Sequence, residues 1–219
     1  MTKKTIVPMP VIRRLPRYHR YLEELLKNDV KRISSRELSE RMGVTASQIR
    51  QDLNNYGGFG QQGYGYNVEE LYNTLTKILG LDKTYSTIII GAGNLGQAIA
   101  NYTNFERTGF SLKGIFDINP RLFGLKIRDI EIMDVETLED FLSKNKIDIA
   151  ILCIPKDNSQ IMADRLVKAG IKAIWNFSPI DLKVPDDVIL ENVHLSDSLL
   201  TLSYRINEEN LLKAKVEEK

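Results

Sequence analysis

At 219 residues the chain is long enough for one large or two small domains, each with a core of its own. Its 42% hydrophobic and 27% charged residues fit a folded protein in water, and no segment approaches the roughly 20 apolar residues of a membrane-spanning helix. One cysteine, Cys153, excludes an intrachain disulfide and cannot alone build a structural zinc site. Lys3 and Lys4 lead into no apolar run with a cleavage site, so the cytoplasm is the expected compartment, with no membrane and no metal as partners.

The net charge of +1 hides a division near Gly80. Residues 1–80 carry 13 Lys plus Arg against 8 Asp plus Glu, whereas residues 81–219 carry 17 against 21. Lys3, Lys4, Arg13, Arg14, Arg17 and Arg20 all precede the first acid, Glu23. Such a basic arm releases counterions from phosphate, which makes nucleic acid a candidate partner; a solvated terminus is the plain alternative.

In chain order, Tyr21, Leu22, Leu25 and Leu26 recur at helical spacing and predict a first helix over about 17–27, ended by Asn28. Ser34-Ser35-Arg36-Glu37 is a capping box opening a short helix that buries Leu38 and Met42 and stops at Gly43. Thr45-Ala46-Ser47-Gln48 opens a third helix, to about Tyr56, with Ile49, Leu53 and Tyr56 inward. Two short helices joined by Gly43-Val44 form a helix-turn-helix, whose second helix enters the major groove of DNA. Ser47, Arg50, Gln51 and Asn54 lie off the apolar stripe; Arg50 suits guanine and Gln51 suits adenine. Arg13, Arg14, Arg17, Thr45 and Gln48 complete the candidate DNA face on these helices. The segment 57–66 holds five glycines and three aromatics, as a hairpin wing does, with Gly60, Gln61 and Gln62 at the tip reaching a minor groove. Leu71, Leu75, Ile78 and Leu79 predict a helix over 68–79 that packs back on this domain, closed by Gly80.

The β-branched run 85–90 leads into Gly91-Ala92-Gly93-Asn94-Leu95-Gly96 and a helical stretch over 97–102. This is the G-x-G-x-x-G fingerprint in its strand-to-helix setting. Gly91 permits the tight turn, Gly93 admits a pyrophosphate to the backbone and Gly96 lets helix pack on strand. A second strand, 112–116, ends in Asp117, 21 residues after Gly96, where an acid holds a ribose 2′-hydroxyl. That carboxylate favours NAD over NADP, although Arg121 stands close by. Further alternation follows: a helix capped by Asp134 running to Lys144, a strand over 147–154, a helix capped by Asp157 and ending near Gly170, and a strand over 173–177. Ile154 and Pro155, with Asn176, Phe177 and Pro179, follow strand ends and are expected on the nicotinamide side of a doubly wound sheet. Cys153, inside an apolar strand, reads as core. Leu195, Leu199, Leu202 and Ile206 stripe a last helix over about 196–212, which covers its own sheet or, as the favoured reading, pairs with a second subunit.

The joined motifs, 44–53, the wing end Gly63-Tyr64-Gly65-Tyr66-Asn67-Val68, and 91–96 with Asp117, resemble the Rex family of redox-sensing transcriptional repressors over nearly the whole chain. The resemblance implies an α/β protein with a winged helix-turn-helix domain (1–80), a Rossmann doubly wound parallel-sheet domain binding NADH or NAD+ (81–195) and a C-terminal exchanged dimer helix with tail (196–219). It also implies a homodimer on double-stranded palindromic operator DNA that leaves it when NADH binds. In that family an Arg, a Tyr and an Asp couple the nicotinamide to domain orientation. Arg20 and Tyr102 match, but His194 occupies the Asp position, with Asp197 three residues on. A neutral or charged His194 can pair with Tyr102, yet a charged one repels Arg20. Leu195 replaces an aromatic beside the partner's nicotinamide.

Two other readings stay open. An NAD-dependent oxidoreductase would explain the fingerprint, but it needs a substrate domain and an acid or base, and the only histidines are His19 and His194. A regulator sensing another nucleotide, such as a coenzyme A ester, would use the same fold.

Overall fold

The computed structural model describes residues 7–57, 59–61 and 64–217, and the chain divides into two compact units, Met1–Lys83 and Thr84–Lys219. In the first unit, α1 (Met9–Lys27) begins eight residues before the expected start, so Arg13 and Arg14 lie on a helix and not on an extended arm. Pro16 lies just before the expected start at Arg17. It stands inside the helix on its exposed side, where the missing N–H frees only one carbonyl, and burial of Val11, Leu15, Tyr18, Leu22 and Leu25 outweighs that loss. A short strand β1 (Arg32–Ile33) precedes α2 (Ser35–Met42), which has its full capping box at Ser34 and Glu37 and ends on Gly43 at φ 64°. Helix α3 (Ala46–Asn54) stops before Tyr56, which still packs on the core. Only half of its expected box forms: the Thr45 hydroxyl accepts from Gln48 N–H, while the Gln48 side chain turns elsewhere. Strands β2 (Gly60–Gln61) and β3 (Gly65–Asn67) form the wing, ordered β1-β3-β2 and antiparallel throughout. Helix α4 (Val68–Ile78), capped by Asn67, closes the core around Tyr18, Leu22, Leu38, Ile49, Leu53 and Leu71.

The second unit is a seven-stranded sheet. Its strands are β4 (Tyr85–Ile90), β5 (Phe110–Asp117), β6 (Lys126–Ile127), β7 (Ile130–Asp134), β8 (Ile149–Leu152), β9 (Ala173–Asn176) and β10 (Ile189–Asn192). The order is β10-β9-β8-β4-β5-β7-β6, parallel except for the β6–β7 hairpin at one edge. Six parallel strands with β4 and β8 adjacent at the reversal of order make the Rossmann arrangement, with its crevice at the carboxyl ends of β4 and β8. Helices α5 (Asn94–Asn101), α6 (Asn104–Arg107), α7 (Leu138–Lys144) and α8 (Lys156–Lys168) link the strands. One cluster, with Ile88, Phe116, Leu138, Leu152 and Leu166, and another, with Ile89, Ile115, Ile132 and Ile151, fill the two faces. Asp134 caps a 3-10 turn (Val135–Thr137) that leads into α7. Asp157 is not the cap of α8; Pro155 is, and Asp157 contributes its charge to the first turn. Helix α9 (Leu195–Glu217) ends the chain and does not cover the sheet: Leu199, Leu202 and Ile206 are all exposed. Among the described residues no helix is long and apolar enough to cross a membrane.

Candidate nucleotide and nucleic-acid sites

The turn after β4 is built as its glycines require. Gly91 has φ 100°, and a Cβ there would stand 2.5 Å from the Cys153 carbonyl oxygen. A Cβ on Gly96 would lie 1.9 Å from the Gly91 carbonyl oxygen, so α5 presses directly on the turn. Gly93 has nothing within 4 Å of the same construction, leaving open space beside the backbone. Helix α5 begins at Asn94 with no side-chain cap, so its first N–H groups are available to an anion. Asp117 accepts from Ala92 N–H at 2.6 Å and from Asn119 N–H at 2.8 Å, which fixes the carboxylate against the turn and leaves lone pairs for hydroxyl donors.

A cavity of about 460 Å³ opens beside this turn, lined by Gly91, Gly93, Asp117, Ile154 and Pro155, and also by Ile118, Val135, Glu136, Asn158, Ile161 and Arg165. The sequence reading missed the second group. Ile118, 72% exposed, and Ile161, 63% exposed, hold apolar surface open to water at its rim. Arg165 is pinned by Glu139 at 2.8 and 3.0 Å. The spacing of Asn158, Ile161 and Arg165 on one side of α8 was the available signal. These groups fit a dinucleotide: open backbone and a helix start for phosphates, a carboxylate for ribose hydroxyls, apolar walls for a base.

The other expected ligand residues fall outside the cavity lining. Phe177 is half-buried and its ring meets Trp175 at 4.6 Å; Trp175 meets Phe105 at 5.6 Å, and Phe105 meets Tyr102 at 4.8 Å. This aromatic series joins the end of α5 to the loop after β9. Pro179 and Leu195 are exposed, as are Asn94 and, at 53%, Tyr102, while Leu95 is half-buried. Two expectations need correction. Asn176 is fully buried, its amide donating to the Ile180 carbonyl and Asn192 and accepting from Ser178 N–H, so it shapes the loop and its side chain does not face a ligand. Ala92 is buried too and contributes its backbone. Cys153, expected in the core, is half-buried and also lines the cavity; burial lifts its thiol to about 12, which keeps it protonated.

His194 does not pair with Tyr102. Its Nε2 lies 3.0 Å from Asp181 Oδ1, because the parallel pairing of β9 and β10 brings the loops that follow them together. The bond to Asp181 raises the imidazole above its ordinary range. Asp197 donates its backbone N–H to the His194 carbonyl, and Arg20 is exposed in the first unit.

On the first unit, Ser47, Arg50, Gln51 and Asn54 are on the exposed side of α3, with Ser47, Gln51 and Asn54 turned to solvent and Arg50 Nη1 donating to Ser35 Oγ at 2.9 Å. Arg13 is exposed; Arg17 donates to the Met42 carbonyl at 2.8 Å and Thr45 caps α3. Gly60 and Gln61 pair with Tyr66 and Gly65 in the wing, and Gln62 lies outside the described residues. Arg14 is not free for phosphate. It forms a two-pronged ion pair with buried Asp52, to which Tyr18 and Gln48 also donate. Neither Asp52 nor Tyr18 stood out in the sequence, since an acid on a basic domain looks like solvated surface.

Residues 82–180 match the family described as CoA binding domain, and residues 6–54 match the one described as putative DNA-binding protein N-terminus. The redox-sensing transcriptional repressor Rex of Thermoanaerobacter sp. (strain X514) is 87% identical over 213 residues, 97% of this chain and 95% of that one. That of Clostridium perfringens (strain SM101 / Type A) is 64% identical over 96% of this chain and its own full length. Among solved structures, RSP in complex with β-NAD+ and operator DNA superposes with a TM-score of 0.90 at 85% identity, over 99% of this chain and 100% of that one. RSP in complex with β-NADH gives 0.89 at 84% identity, over 96% and 99%. With these relatives matched over nearly their whole length, the chain belongs to the Rex family of redox-sensing transcriptional repressors.

Proposed function

We propose that this protein is a cytoplasmic, homodimeric repressor that holds a palindromic operator while NADH is scarce and releases it when NADH binds. The carrying observation is the union on one chain of a phosphate-ready β4–α5 turn beside Asp117 and a helix-turn-helix, at 85% identity to RSP bound to β-NAD+ and operator DNA. Residues 1–80 bind DNA, 81–195 bind the nucleotide, and 196–219 serve the dimer. Arg13, Arg17, Ser47, Arg50, Gln51 and Asn54 take phosphates and base edges; Gly60, Gln61 and Gln62 follow the minor groove. The nucleotide supplies a ring that is cationic when oxidised and neutral when reduced. Apolar groups at Pro155, Phe177 and Leu195 then favour the neutral form, since desolvating a charge costs more than desolvating an uncharged ring. Arg20, Tyr102, His194 and Asp197 are the coupling residues, with the His194–Asp181 pair supplying the acid near the start of α9.

The test is binding of purified protein to a palindrome selected from random DNA, with no nucleotide, with NAD+ and with NADH. Release by NADH alone is the expected result; equal binding in all three refutes the proposal. The match of residues 82–180 to a CoA binding domain favours one second reading, a coenzyme A ester as the ligand. The same titration with acetyl-coenzyme A decides it: release by that ester and not by NADH establishes the second reading.

A further inference from the structure

Helix α1 reaches both helices of the helix-turn-helix through polar groups. Arg14 donates to the Asp52 carboxylate on α3 from Nε at 2.6 Å and Nη2 at 2.8 Å, and Tyr18 donates to it from Oη at 2.7 Å. Three residues further on, Arg17 Nη2 donates to the Met42 carbonyl at 2.8 Å and Tyr21 Oη to the Arg41 carbonyl at 2.7 Å. Arg41 and Met42 are the last two residues of α2, where carbonyls lack partners inside the helix. One face of α1 thus holds the end of α2 and the body of α3, on either side of the turn at Gly43-Val44.

Asp52 and Tyr18 are wholly buried, and the Arg14 side chain is 23% exposed. Such a pair is a poor source of net stability. The cost of taking both charges out of water cancels most of their attraction, and apolar groups of similar size often serve the fold as well. What the apolar groups around it lack is direction. The contacts of Leu38, Ile49 and Leu53 tolerate small rotations and slides of α3, whereas a two-pronged guanidinium–carboxylate pair fixes distance and angle together. Rotation matters on the side of α3 turned away from the core, where Ser47, Gln51 and Asn54 are exposed. Side-chain ends stand about 5–6 Å from a helix axis, so a turn of about 10° moves them by about 1 Å. That displacement takes a base-edge hydrogen bond beyond its range, while a charge attracted to phosphate loses little by it.

We infer that Arg14 and Asp52, with Tyr18, are positioning residues for sequence recognition: they set the rotation of α3 on α1, and through it the discrimination of operator from other DNA, without themselves touching the duplex. This rests on the DNA-binding reading above.

The experiment uses the full chain with Arg14→Met, Tyr18→Phe and Asp52→Val together. This triple change removes one positive and one negative charge and strands no buried partner, because Gln48, the remaining donor to Asp52, is half-buried and can turn to water. Two quantities are read by anisotropy over a range of salt. One is the ratio of affinities for the selected operator and for a duplex with both half-sites scrambled; the other is the slope of log affinity against log salt on the scrambled duplex. The expected result is a ratio lower by about ten-fold or more at an unchanged slope. Arg14→Lys, which keeps the charge but not the fork, should lower the ratio by about three-fold or more. A purely structural role leaves the ratio of the folded protein where it was. An unchanged ratio in the triple variant, shown folded by circular dichroism, therefore overturns the inference, as does an unchanged ratio in Arg14→Lys should the triple variant fail to fold. A slope smaller in the triple variant by about 0.9 for each Arg14 on the duplex also overturns it, since Arg14 is then a phosphate contact. A wild-type chain that selects no operator overturns the DNA-binding reading instead.

Discussion

Five residues of this protein titrate or pack in ways that experiment can separate one by one: Asp52, His19, His194, Gly93 and Gly96. Asp52 has its carboxyl held low by Arg14, Tyr18 and Gln48 against the opposing pull of burial. A lowered carboxyl stabilises the fold above its unfolded value, about 3.9, and that contribution is lost as pH falls through the lower folded value. Protection factors of α1 and α3 amides in the full chain, the exchange rates of an unstructured chain at the same pH divided by those observed, should therefore be steady from pH 7 to 5 and fall below pH 4. Asp52→Ala, which strands Arg14 and Tyr18, should cost about 3 kcal/mol, at the low end for a broken buried pair because Arg14 can turn toward water. The two histidines should move apart in an NMR titration: burial lowers His19, while the hydrogen bond to Asp181 raises His194. A raised histidine stabilises below its unfolded value, about 6.5, and loses that contribution as pH rises through the folded value. Asp181→Asn should bring the higher titration down and leave the lower one in place; the reverse pattern would sink the assignment. Gly96 and Gly93 separate folding from binding. Gly96→Ala drives a Cβ into backbone and should cost at least 2 kcal/mol, whereas Gly93→Ala meets open space and should cost less than about 1 kcal/mol while NADH affinity falls ten-fold or more.

At the scale of elements, α9 is the outlier, because a helix of 23 residues that leaves Leu195, Leu199, Leu200, Leu202, Tyr204 and Ile206 exposed is not held by its own unit. So much contiguous apolar surface marks an interface. If α9 is the dimer helix, Leu202→Asp combined with Ile206→Asp should convert a dimer to a monomer in sedimentation at micromolar concentration, with the two units still folded; an unchanged dimer would place the interface elsewhere. Much at this scale was legible in the sequence for physical reasons. The Ser34 box, the glycine turn at 91–96 and the β-branched run at 85–90 are local signals that tertiary packing had no cause to override. Where packing did override local preference, the reading failed: Pro16 and the crowded arginines disguised the first turns of α1, whose helicity comes from burying Val11 and Leu15. Strands β6, β7 and β10, at or next to the sheet's edges, went unread because runs of two to five residues give too little alternation to stand out from loops. In the site, the glycines and Asp117 were visible because backbone geometry demands them. The rim residues Ile118 and Ile161 were not, since an isoleucine gives the same local signal whether it packs inside or walls a cavity.

For the molecule as a whole, the question is how much a nucleotide in one unit can do to DNA held by another. A ligand shifts an equilibrium only by its differential affinity for the two states, and each ten-fold change corresponds to about 1.4 kcal/mol. Linkage makes the effect reciprocal: if NADH weakens operator binding by some factor, operator must weaken NADH binding by the same factor. The protein carries its own reporter, since Trp175 is its single tryptophan and lies in the aromatic series that runs from Phe177 to Tyr102. Energy transfer from Trp175 to the reduced nicotinamide should measure NADH affinity with and without saturating operator, while operator binding is followed by anisotropy with and without NADH. The two ratios should agree within error and exceed ten-fold. Tyr102→Phe should bring both ratios toward one together, by about the same factor, if the phenol couples the units, and should leave them equal to each other whatever its size. A variant that lost DNA release while operator still weakened NADH binding would violate linkage, and would show that the fluorescence reported something other than the site that controls the DNA.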